Sequence, residues 1–124
     1  YIQVDIKQIF LINTVLFLMD KESVITRMIE VSRHCYTLSD RVEANTKLSR
    51  DVDLMSDDLS SILDDTLEML YDLDTDYIVI QQYDKLRDTI SKYPIKRTWE
   101  VNKEKIQSDF QIFGSRFLKL CERM

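Results

Sequence analysis

The chain has 124 residues, enough for one domain with a single core and too few for a second. Apolar residues make up 44% and charged residues 31%, which argues against both wholesale disorder and a bundle embedded in a membrane. With one Gly and one Pro there is almost nothing to build the tight turns of a many-stranded sheet, and a net charge of −5 with an isoelectric point near 4.9 sets an unfavourable field for nucleic acid.

The chain opens on Tyr1, which reads as a single domain spanning 1–124 and excised from a longer chain. A first helix is expected near 2–19. Nine of the eleven residues from Ile9 to Met19 are apolar, too few to span a bilayer, and no small-residue cleavage site of a secretory leader follows. Such a helix, apolar on nearly every side, is read as central in a bundle, with a half-buried helix offering one face to a partner as the alternative. Asp20 or Ser23 can cap a second helix near 21–44, whose apolar residues Val24, Met28, Val31, Cys35, Leu38 and Val42 recur every three or four positions.

Asn45 or Thr46 marks a change of seam phase, and a third helix follows near 47–72 with Val52, Met55, Leu59, Ile62, Thr66, Met69 and Leu73, widened by Leu63, Leu67 and Leu70. A continuous helix through that change would reduce the total from five helices to four. Asp74 or Asp76 caps a helix near 76–92 carrying Val79, Tyr83, Leu86, Ile90 and Tyr93. Pro94 stops it and suits the first turn of the last helix, near 95–123. There the seam runs through Ile106, Phe110, Phe113, Phe117, Leu120 and Met124. Gly114 lies inside this run, where it costs about 1 kcal/mol relative to Ala; close approach of a neighbouring helix is the expected reason and a kink the alternative. The reading is an all-α fold, an antiparallel bundle of four or five helices meeting at shallow angles.

Charge is unevenly distributed. Between Asp51 and Asp76 stand ten acidic residues and no Lys or Arg, whereas Lys85 to Met124 holds ten basic and five acidic residues. Asp51, Asp58, Asp65 and Asp72 repeat every seven positions, with Asp57 and Asp64 beside them, so they form a stripe opposite the apolar seam. Like charges four apart, such as Asp64 and Glu68, disfavour a helix by about 0.2–0.5 kcal/mol a pair. Three readings follow: a solvated face that keeps the domain soluble, pairing with the basic C-terminal helix, or a site for a basic segment of a partner. The candidate partner residues are Asp57, Asp58, Asp64, Asp65, Glu68 and Asp72.

No constellation for catalysis emerges. Paired carboxylates need a cleft and separated pKa values for acid–base work, and these sit on an exposed stripe. Asp72 to Asp76 imitates the start of a calcium loop but has Tyr77 where the turn needs Gly. Glu30 and His34 lack the second His of a di-metal bundle, and Cys35 and Cys121 have no neighbour to complete a zinc set. The cluster of Lys92, Lys96 and Arg97 beside Tyr93 and Trp99 could touch phosphate, although a lone Trp is more often a core anchor. The expectation is therefore a non-catalytic protein-interaction or scaffold domain, needing no cofactor and no metal, placed inside the cell with both cysteines reduced. Its partner is another protein with a basic segment, a homodimer being an alternative. Two further alternatives are a secreted four-helix signalling protein with Cys35 bridged to Cys121, and a phosphotransfer-like bundle using His34.

Overall fold

A computed structural model describes residues 6–73 and 75–124, with side chains from Lys21 onward. It contains four helices and, among the described residues, no strand: α1 (Ile6–Ala44), α2 (Arg50–Asp72), α3 (Tyr77–Ser91) and α4 (Ile95–Glu122). The fold is the expected all-α antiparallel bundle, in its four-helix form. The count differs from five for a reason other than the one anticipated. Helices expected at 2–19 and 21–44 are one continuous α1, so neither Asp20 nor Ser23 caps anything. The break falls between α1 and α2, over residues 45–49. With no Gly or Pro between Met19 and Val24, nothing in that stretch interrupts the helical ladder, and a polar residue in a helix is merely a polar surface position. How the apolar run Ile9 to Met19 is buried lies outside the described residues.

Where α1 ends, side chains replace the missing glycine. Asn45 Nδ2 donates to the Arg41 carbonyl at 2.6 Å, and the Lys103 ammonium donates to the carbonyls of Asn45 and Glu43. These are carbonyls that a helix C-terminus leaves without partners, and a cation there also suits the helix dipole. α2 begins behind Ser49, later than Asn45 or Thr46 would place it. The Ser49 hydroxyl makes no capping bond, but Asp51 and Asp53 stand in the first turn, where negative charge is favoured. Asp76 caps α3 through its side chain, accepting from the Ile78 amide at 2.8 Å; Asp74 lies outside the described residues. Pro94 separates α3 from α4, as its missing N–H requires.

Consecutive helices pack side by side and α4 returns to α1, closing a ring in which α1 faces α3, and α2 faces α4, only across the diagonals. Antiparallel register can be read from two buried serines. Ser32 Oγ donates to the Gly114 carbonyl at 2.8 Å and Ser39 Oγ to the Gln107 carbonyl at 3.0 Å. As the chain climbs one heptad on α1 it descends one on α4, so the two seams stay in phase.

All six expected α1 positions from Val24 to Val42 are buried, as are Ile106, Phe110, Phe113, Phe117 and Leu120 on α4. On α2 the core is met by Val52, Leu59, Leu63, Thr66 and Leu70, while Met55, Ile62 and Met69 lie at its margin. Thr66 is tolerable there because its hydroxyl donates to the Ile62 carbonyl of its own helix. Aromatic rings fill the α3/α4 side. Tyr93 meets Phe110 and Phe113 edge-on at 5.1 and 6.0 Å, and Tyr83 meets Phe117 at 5.5 Å. The buried Tyr83 hydroxyl donates to the Leu63 carbonyl at 2.8 Å, tying α3 to α2.

At Gly114 α1 and α4 approach closely: a methyl group there would lie 2.8 Å from the Tyr36 ring and 3.2 Å from the Ser32 carbonyl oxygen. Close approach is thus its role, and α4 does not kink there. It breaks helical geometry at Asn102 (φ −159°, ψ 96°), beside Lys103, which caps α1 and stacks over Trp99 at 5.4 Å.

Candidate interaction surface

The six candidate carboxylates all lie on the outer side of α2. The buried residues Val52, Leu59, Leu63, Thr66 and Leu70 define one face of that helix. At about 100° per residue, Asp57, Asp64, Asp65, Glu68 and Asp72 fan out around the opposite direction, with Asp58 at the edge toward α1. All six are exposed. The structure therefore brings them together as one strip along α2, with the exposed side chain of Leu54 on the same face.

Little cation from the same chain answers this strip. Arg87 on α3 reaches Asp64 at 3.1 Å while binding Asp84 through Nε and Nη2 at 3.0 and 2.8 Å. The hydrogen bonds that Arg87 donates to Asp84, and the negative charge of both carboxylates, hold its guanidinium above its ordinary pKa. Asp64 is largely exposed and Arg87 half-buried, so the pair contributes no more than about 1 kcal/mol. Among the described residues, Asp57, Asp58, Asp65, Glu68 and Asp72 have no cationic group within ion-pair distance. Pairing with the C-terminal helix, considered from sequence, is ruled out by the ring order, since α4 lies diagonally across the core from α2. The internal cation is Arg87, on α3.

Asp58 borders a second feature, a cleft of about 500 Å³ between α1 and α2 that also receives Glu30, Arg33, His34, Arg41 and Met55. Arg33 and Arg41 give this edge of the strip a mixed character. The Glu30/His34 pair is on the α1 wall, with Glu30 turned toward Arg27 at 3.6 Å. No group of three metal-ligating side chains occurs among the described residues. Asp72 is the last residue of α2 and Asp76 the cap of α3, so these two members of the calcium-loop look-alike act at helix ends. Of the basic cluster, Lys92 is paired with Asp88 at 3.2 Å. The Tyr93 hydroxyl donates to Asp109 at 2.6 Å, and Trp99 packs against the core beneath Lys103.

The thiols of Cys35 and Cys121 are free. Burial pushes Cys35 up to about 12 and also raises Cys121. The α1/α4 register places Cys35 level with the neighbourhood of Gln111, so Cys121 is about ten residues, or about 15 Å, further along the bundle. Bridged cysteines need their Cα atoms within about 7 Å. A Cys35–Cys121 bond therefore cannot close in this arrangement. Among the described residues no helix is long and apolar enough to cross a membrane.

No protein-family model matches the chain, and no curated protein or solved structure matches it either.

Proposed function

We propose that the domain is a non-catalytic protein-binding module whose α2 face receives a basic segment of a partner protein. The observation that carries this reading is the state of the strip: five of its six carboxylates are exposed on one helix face with no internal ion pair among the described residues. Like charges at this spacing weaken the free helix, and a lysine- or arginine-bearing segment laid along α2 would relieve that repulsion while displacing little else. Complementary charge of this kind chiefly speeds encounter and sets specificity. The exposed Leu54 supplies an apolar contact on the same face.

The test is affinity capture with the domain, run beside a variant in which Asp57, Asp58, Asp64 and Asp65 are replaced by Asn. A captured partner should be lost from the variant, and its association rate with the unaltered domain should fall steeply as salt rises. A partner that binds the variant equally well at every salt concentration would remove α2 as the binding face.

A further inference from the structure

On the side of the bundle away from α2, α3 and α4 diverge around a groove of about 420 Å³. Their contact is the thinnest of the four helix pairs around the ring. Lys85, Arg116, Lys119 and Arg123 wall the groove, and Leu86 and Leu120 form its floor. No carboxylate lines it, and none lies within ion-pair distance of these four cations among the described residues. Of the nearby acids, Asp84 pairs with Arg87, Asp88 with Lys92 and Asp109 with Tyr93, and Glu122 is exposed outside the groove lining. At one end Arg123 donates to Gln82 at 3.0 Å across the groove.

The apolar character continues past the cations. Ile78 stands one turn before Gln82 on the same flank of α3, and Ile112 one turn before Arg116 on the same flank of α4; they are 58% and 47% exposed. Because the helices are antiparallel, these two isoleucines mark opposite ends. The strip from Ile78 to Thr89 covers about three helical turns, or about 16 Å.

We propose that this groove docks an acidic amphipathic helix from another polypeptide. This second site is independent of the α2 face. A helix with apolar residues at i, i+3 or i+4 and i+7, a reach of about 10 Å, would set them on Leu86 and Leu120 and against one of the two isoleucines, and its flanking carboxylates would meet the cations on both walls. A small phosphate ligand would use neither the apolar floor nor cations spread over two turns. A second copy of this chain is a poor occupant for a different reason. Its acidic helix α2 has already buried Val52, Leu59, Leu63 and Leu70 in its own core, and its exposed Leu54 and Tyr71 stand seventeen positions apart, about 25 Å along the helix and too far for both to enter one groove of this length.

The probe is a labelled helical peptide carrying Leu at i, i+3 and i+7 with Glu on the flanks, followed by fluorescence anisotropy. A second peptide has the same composition with its leucines scattered around the helix. The unaltered domain should bind the first peptide at least about tenfold more tightly than the second. Reversing Lys85→Glu together with Lys119→Glu should weaken the first by at least about tenfold, the scale of charged pairs across an interface. Both lysines are exposed, circular dichroism checks that the variant is folded, and the milder Lys119→Gln should give a smaller loss in the same direction. Equal binding of the two peptides, or equal binding by the charge-reversed variant, would overturn the proposal. So would domain that self-associates in sedimentation experiments but becomes monomeric on charge reversal, because the occupant would then be a second copy. Removing the α2 carboxylates should leave peptide binding intact, so failure of one site is distinguishable from failure of the other.

Discussion

Replacing Gly114 by Ala sets two effects of known size against each other. In an exposed helix the change would stabilise by about 1 kcal/mol, since Ala loses less backbone freedom. Here the new methyl would stand 2.8 and 3.0 Å from two ring atoms of Tyr36 and 3.2 Å from the carbonyl oxygen of Ser32. The ring belongs to a half-buried side chain and can swing aside; the carbonyl is part of α1 and cannot move without moving the helix. Overpacking of this sort costs about 1–3 kcal/mol. Separating the helices also stretches the Ser32 to Gly114 bond of 2.8 Å, worth about 1 kcal/mol. The net expectation is a loss of about 1–3 kcal/mol, read as a lower denaturant midpoint with an unchanged slope. Gly114→Val should lose more than Gly114→Ala. Pairing Gly114→Ala with Tyr36→Ala should recover part of the loss if the ring is the obstacle, which a double-mutant cycle measures. A Gly114→Ala variant as stable as the unaltered domain, or more stable, would refute close approach as the reason for this glycine.

Phe110→Ala and Phe117→Ala should each destabilise by about 3–5 kcal/mol, since both rings are fully buried; losses below about 1 kcal/mol in chemical denaturation would mean that the core is not packed as described. Tyr83→Phe removes the buried bond to the Leu63 carbonyl and should cost about 1 kcal/mol by the same measurement. Cys35 is held up to about 12 from an ordinary value of 9.0, so the unfolded chain loses this proton first. Its contribution is therefore intact below about pH 9 and is lost as pH rises toward 12, at a limiting slope of about 1.4 kcal/mol per pH unit. Cys35→Ala should flatten the alkaline limb of a stability-versus-pH curve by that amount. In the strip, Asp64→Asn should lower stability slightly by releasing Arg87, whereas Asp58→Asn with Asp65→Asn should leave it unchanged or raise it, as thermal melts at low salt would show.

Much of the bundle was legible because helical seams are written locally. Val24 to Val42 and Ile106 to Leu120 are spaced by the helix period, and burial follows that spacing residue by residue. Pro94 and Asp76 act through short-range chemistry and fall where that chemistry predicts. The continuous α1 is harder to see in sequence, because Asp20 and Ser23 have the chemistry of caps while no breaker accompanies them. The break at Asn102 left a fainter mark, a polar residue where a seam step between Trp99 and Ile106 would fall. Orientation of the acidic strip was readable from its heptad spacing. Its answer by Arg87 was not, since that depends on how α3 lies along α2. The basic groove needed still more: its residues come from two helices, and only the α3/α4 register brings them to one wall.

The ring order described above puts the most acidic helix and the most basic one at opposite corners. The bundle therefore carries a large transverse dipole moment beneath its modest net charge. A charged molecule within about one Debye length, roughly 8–10 Å at ordinary ionic strength, experiences a torque as well as an attraction, and meets the domain already turned toward the face it complements. Near the isoelectric point of about 4.9 the net repulsion between copies vanishes. Any separation of charge that survives protonation then favours head-to-tail stacking, so solubility should be lowest there and recover with added salt.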